Sequence, residues 1–144
     1  MFNPSREQVR QFFFDVWAKY RAGQALEGAE RTALEGVLAH PEYHAMLEQP
    51  ERYRDRDYLP EDGQVNPFLH LSMHLAVAEQ VAIDQPPGIR AHYEELLAQR
   101  GNAMDAQHAI IDCLGEMIWQ AQRNGAAFDS AAYLACLART LGRA

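Results

Sequence analysis

Apolar residues recur at helical spacing along nearly the whole chain, and no stretch shows the strict alternation that marks a half-buried strand. The first stripe is the clearest. Val9, Phe12, Phe13, Val16, Trp17 and Tyr20 fall at i, i+3, i+4, i+7, i+8 and i+11, which turns one helix face toward a core. Asn3 followed by Pro4 reads as a cap and a first helical residue, and Gly23 as the stop. A second helix is expected over residues 27–39, with Leu34, Val37 and Leu38 inward, until Pro41 breaks it. Residues 41–48 then make a short third turn carrying Tyr43, Met46 and Leu47.

From 50 to 66 the pattern lapses into charges of alternating sign, including Arg52, Arg54, Asp55, Arg56, Asp57, Glu61 and Asp62, punctuated by Pro60 and Gly63. This reads as a long connection, either a solvated loop or a functional one, with Tyr53, Tyr58 and Leu59 able to pin it. Asn66-Pro67 repeats the cap-and-proline start and opens a helix over 67–84 that is apolar on nearly every side, as a buried helix is. Pro86-Pro87-Gly88 stops it. A helix over 87–100 follows, with Ile89, Tyr93, Leu96 and Leu97 inside and Gly101 at its end. A long helix over 102–124 precedes Gly125. The last is capped by Asp129 or Ser130 and carries Tyr133, Leu134, Leu137 and Leu141. The expected fold is all-α: one domain over 1–144, a bundle of about six or seven helices around a buried 67–84 helix.

Length and charge narrow the function classes. A chain of 144 residues favours one domain with a core of its own. Thirteen basic against twenty acidic side chains give a net charge of −7, which offers no footprint for a nucleic-acid backbone. No apolar run approaches the roughly 20 residues of a membrane span. The segment from Met1 to Arg6 lacks the basic-then-apolar order of a secretory signal, so a cytoplasmic protein is expected. Cys113 and Cys136 show no CxxC spacing; in a reducing compartment they read by default as buried thiols, with a disulfide or reactive thiol as the alternatives.

Candidate chemistry centres on His70 and His74. Four residues apart on the 67–84 helix, they project from one face and could share a metal ion, since neutral imidazole is a common ligand of zinc, iron and nickel. Val77 and Val81 continue that face, so both rings point into packed protein. The alternative is that each imidazole satisfies itself on a carbonyl or carboxylate. On the long helix, His108, Asp112 and Glu116 form a drifting polar line with Asp105 and Trp119, opposite a core stripe of Ile110, Ile111, Leu114, Met117, Ile118 and Ala121. Such a line is ordinarily solvated. Trp119 and the neighbouring Gly115 point instead to a cleft, in which His70, His74, His108 and Glu116 could converge as zinc or iron ligands. His40 and His44 are also four apart, but Pro41 interrupts their alignment. His92 reads as a hydrogen-bonded residue, and Glu79 as a partner for Arg90. HExxH, Glu-x-x-His, phosphate-loop and Gly-x-Ser-x-Gly motifs are absent.

Three stretches resemble the bacterial domain-of-unknown-function family eighteen-forty-one: Met1-Phe2-Asn3-Pro4-Ser5-Arg6 leading into Phe12-Phe13-Phe14, Asn66-Pro67-Phe68-Leu69-His70-Leu71-Ser72-Met73-His74, and Cys113-Leu114-Gly115-Glu116-Met117-Ile118-Trp119. The resemblance implies a small stand-alone cytosolic protein and carries no activity, substrate or cofactor. Two functional readings follow. The first is a non-catalytic interaction or structural module, with a protein partner or a second copy of itself. The alternative is a metal-binding helical protein, with zinc or iron on the His/His/His/Glu set and an open position for water or substrate.

Overall fold

The first helix is capped by Ser5, two residues beyond the expected Asn3. Ser5 accepts from the Gln8 backbone N–H while the Gln8 side chain accepts from the Ser5 N–H, a reciprocal capping box that opens α1, Arg6–Arg21. The computed structural model describes residues 5–58 and 66–142, so the Asn3-Pro4 start lies outside the described residues. Helices make up the regular structure throughout: α2 Ala29–Leu38, a 3₁₀ turn Pro41–Tyr43, α3 His44–Leu47, α4 Pro50–Tyr53, α5 Pro67–Ile83, α6 Ile89–Arg100, α7 Ala103–Asn124 and α8 Ser130–Thr140. No strand occurs among the described residues. The fold is all-α.

Two compact units divide the chain, 1–75 and 76–144, and the division falls within α5. In the first unit, Phe13, Phe14, Val16 and Trp17 of α1 pack with Ala33 and Val37 of α2, Met46 and Leu47 of α3, and Phe68 and Leu71 of α5. Leu38 faces solvent, so the inward stripe of α2 runs through Ala33, Gly36 and Val37. Ion pairs tie the rim: Lys19 to Glu30 at 2.6 Å, and Arg21 to Glu48 at 3.4 Å.

The segment after Gln49 is less irregular than its charges suggest. Pro50 starts a helical turn, and Arg10 of α1 holds its end by donating through Nη1 to the carbonyls of Tyr53, Arg54 and Arg56. Arg6 adds bonds to the Arg56 carbonyl and to Asp57. Tyr53 and Tyr58 pack against the core, as expected of pinning residues; Leu59, Pro60, Glu61, Asp62 and Gly63 lie outside the described residues.

The second unit sets α6, α7 and α8 in mutual contact. Ile89, Leu96, Ile110, Tyr133 and Leu137 are fully buried in it, while Ile118 and Leu97 of the expected stripes are exposed. Gly101 and Gly125 close α6 and α7 in the left-handed conformation that glycine adopts without strain. Two expectations are corrected here. Cys113 and Cys136 are not free thiols: their Cα atoms lie 5.8 Å apart and a disulfide joins α7 to α8. Adjacent helical faces, unreadable from a 23-residue spacing, bring them together. Arg90 does not pair with Glu79; its guanidinium donates to the Val81 and Ala82 carbonyls at the end of α5, where backbone acceptors lack helical partners.

Candidate metal centre

His70 and His74 sit on α5 one turn apart, and Asn66 starts that helix as expected, its Oδ1 accepting from the Phe68 and Leu69 N–H groups. Both imidazoles meet a third, that of His40. The chain delivers His40 by ending α2 at Leu38 and turning at Pro41. At this turn the His40 N–H bonds the Val37 carbonyl, leaving the Gly36 carbonyl without its usual helical donor. His40 Nδ1 takes that place at 2.6 Å. A carbonyl can only accept, so Nδ1 carries the proton and Nε2 of the neutral ring presents a lone pair.

The Nε2 atoms converge. His70 Nε2 lies 3.1 Å from His40 Nε2 and 3.2 Å from His74 Nε2. All three rings offer ligand nitrogens within 4.8 Å of one another. Their planes cross at 77° for His40 and His70, 81° for His70 and His74, and 60° for His40 and His74, so the rings stand edge to face, not stacked. Two nitrogens held tetrahedrally by one zinc at about 2.0–2.1 Å stand about 3.3 Å apart, close to the separations found here. His40 and His74 are 5% and 3% exposed, and His70 is half-buried. A neutral Nε2 carries either one proton or one lone pair, and imidazole nitrogens turned toward one another at this spacing suit ligation of one shared cation.

Neighbouring groups hold this arrangement. The Gly36 carbonyl fixes the tautomer of His40 in the way metal-bound histidines are commonly oriented. Tyr43 stacks on His40 at 5.4 Å with planes 5° apart, and burial, with Glu42 adding to it, raises its phenol above the usual range. α2 passes close to α5 at Gly36, where a Cβ would stand 3.6 Å from that of His74.

His44, four residues after His40, diverges from it, in keeping with the interruption expected at Pro41. Its Nε2 bonds the Val37 carbonyl at 2.7 Å and its ring stacks on Trp17 at 4.3 Å. Pro41 does break the alignment of that pair, and it is what turns His40 toward α5. Sequence reasoning weighed His40 only as half of a pair with His44 and set it aside when Pro41 interrupted that pair; the signal was a histidine placed between a helix end and a proline. His108 lies half-buried on α7 in the second unit, beside a cavity of about 220 Å³ shared with Arg100, Asp105 and Asp112. Glu116 is exposed and accepts from Gln120 at 2.9 Å. Trp119 of the same line is exposed, with Arg123 over its ring. His92 bonds the Gly88 carbonyl, as expected.

Among the described residues, no helix is long and apolar enough to cross a membrane. No curated protein and no solved structure matches the chain. Residues 5–139 match the family described as Domain of unknown function (DUF1841), so nearly the whole chain is covered and it belongs to that family.

Proposed function

We propose that this is a metal-binding helical protein whose first unit holds a divalent transition-metal ion through Nε2 of His40, His70 and His74. The observation that carries the reading is the placement of His70 Nε2 at 3.1 and 3.2 Å from two other imidazole nitrogens. Imidazole donors suit zinc, iron, copper or nickel and disfavour magnesium and calcium, which take oxygen ligands. Zinc and iron remain the first metals to test. Three neutral ligands leave the ion's charge uncompensated, which favours water or an anion as a further ligand. In three-histidine zinc sites the bound water has a pKa of about 7, so metal-dependent hydrolysis is the first reaction class to assay.

This reading goes ahead of the interaction module favoured by the sequence, because it rests on a specific geometry. Of the two further ligands expected from the sequence, His108 stays as a candidate addition to this set, while Glu116, exposed and accepting from Gln120, is left to the mutational test. The test is elemental mass spectrometry on protein purified without a histidine tag. About one equivalent of zinc or iron per chain is expected. Protein that is empty as isolated, empty after incubation with zinc, iron and nickel, and equally stable with and without chelator would overturn the reading.

A further inference from the structure

Arg10 is 3% exposed in the first unit. Its Nη1 serves the Tyr53, Arg54 and Arg56 carbonyls, and its guanidinium lies over the Phe68 ring at 4.7 Å. Among the described residues no carboxylate pairs with it directly, and Nε and Nη2 donate to no protein acceptor. Those two atoms form the edge of a guanidinium that engages a carboxylate through two parallel bonds. They are not sealed in: among the described residues, the buried side-chain nitrogens left without a partner are Trp17 Nε1 and Arg54 Nε. Arg10 instead lines a cavity of about 230 Å³.

The rest of the cavity wall is divided by chemistry. Arg6, Asn66 and Ser72 are polar, whereas Val9, Phe68 and Leu69 are apolar. The volume is below the roughly 300–1,000 Å³ typical of pockets for drug-sized ligands, so an occupant is small. A buried cation ordinarily has a charged partner. We propose that this cavity binds a small aliphatic monocarboxylate, its carboxylate on the Nε–Nη2 edge of Arg10 and its tail against Val9, Phe68 and Leu69. Burial, and then the nearby Arg6 charge, lower the Arg10 pKa against the opposing influence of Tyr58, Asp57 and Asp55, and a bound anion would add to that opposing influence.

The experiment titrates the ¹⁵N-labelled full chain with sodium butyrate, with formate and inorganic phosphate as comparison anions, and follows the arginine Nε–H resonances. A saturable shift of the Arg10 signal is expected, with butyrate tighter than formate by about tenfold or more, because each buried methylene contributes about 0.8 kcal/mol. Leu69→Trp adds bulk at the cavity wall from a residue 57% exposed, and is expected to keep the fold and lose butyrate binding. No saturable shift in the folded wild type would overturn the proposal. So would equal affinity for all three anions, which indicates unspecific attraction to Arg6 and Arg10, or unchanged butyrate binding in folded Leu69→Trp. Should that variant fail to fold, the anion comparison on the wild type decides.

Discussion

His40 Nδ1 lies 2.6 Å from the Gly36 carbonyl oxygen, and this contact decides which nitrogen His40 can offer to a metal. It also gives the side chain a structural role, separable from ligation. In chelator, His40→Ala is expected to lose about 1–3 kcal/mol, because the Gly36 carbonyl is left without a donor. With zinc at about a hundredfold excess over its dissociation constant, the wild type is expected to gain about 2.7 kcal/mol while the variant gains little. Urea unfolding of both proteins, with zinc and with chelator, checks this. An identical difference in the two conditions would assign His40 a structural role alone.

The helices were legible because their signals are local. Asn66-Pro67 opens α5 and Gly101 and Gly125 close α6 and α7, each through backbone requirements confined to a few residues. His70 and His74 were legible for the same reason, since a four-residue spacing on one helix fixes their shared face. What escaped is long-range. His40 reaches His70 across 30 residues through a helix end and a proline turn. The Cys113–Cys136 bridge depends on how α7 meets α8. Nothing local marks Arg10 on α1, because the Tyr53, Arg54 and Arg56 carbonyls that engage it lie more than forty residues away.

The two further ligands suggested by the sequence separate cleanly by mutation. Glu116→Gln is expected to leave metal affinity unchanged, since Glu116 is exposed and engaged by Gln120. His108→Ala tests whether the first-unit imidazoles suffice. If they do, its metal affinity matches the wild type; if His108 is a ligand, affinity falls by about tenfold or more. Competition against a chromophoric chelator gives both constants. Loss of affinity in Glu116→Gln would restore the four-residue set of the sequence reading.

Lys19 and Glu30 tie α1 to α2 with a pH signature of known sign. The hydrogen bond from Lys19, helped by the Glu27 backbone N–H, lowers the Glu30 pKa below its ordinary 4.5. The hydrogen bond to Glu30 raises Lys19 above 10.5. Stabilisation from Glu30 is therefore present above pH 4.5 and lost as pH falls through its lowered folded value; that from Lys19 is present below pH 10.5 and lost as pH rises through its raised value. The pair is solvent-accessible, so its effect is small and screened. Thermal unfolding is expected to show a small deficit for Glu30→Gln near neutral pH, shrinking below the Glu30 pKa and in about 1 M salt. A deficit unaltered by acid and salt would assign the effect to packing.

The Cys113–Cys136 bridge closes a 23-residue separation that contains the end of α7 and the start of α8. By the chain-entropy argument a loop of this size restricts the unfolded state by about 3 kcal/mol, so Cys136→Ala is expected to lose about that much in the second unit. Cys113 is buried, with its sulfur 3.5 Å from Thr140 Oγ1, and the substitution leaves it as a packed thiol without a clash. Hydrogen exchange resolves the effect by location. Amides of α7 and α8 are expected to lose protection in the variant and in reduced wild type, while those of α1 and α2 keep theirs. Intact-mass measurement after alkylation under denaturing, non-reducing conditions supplies the control: a bridged chain takes up no label. Uptake of two labels by the untreated protein would mean that the thiols are free in solution, and the stability loss would then be confined to the deleted side chain.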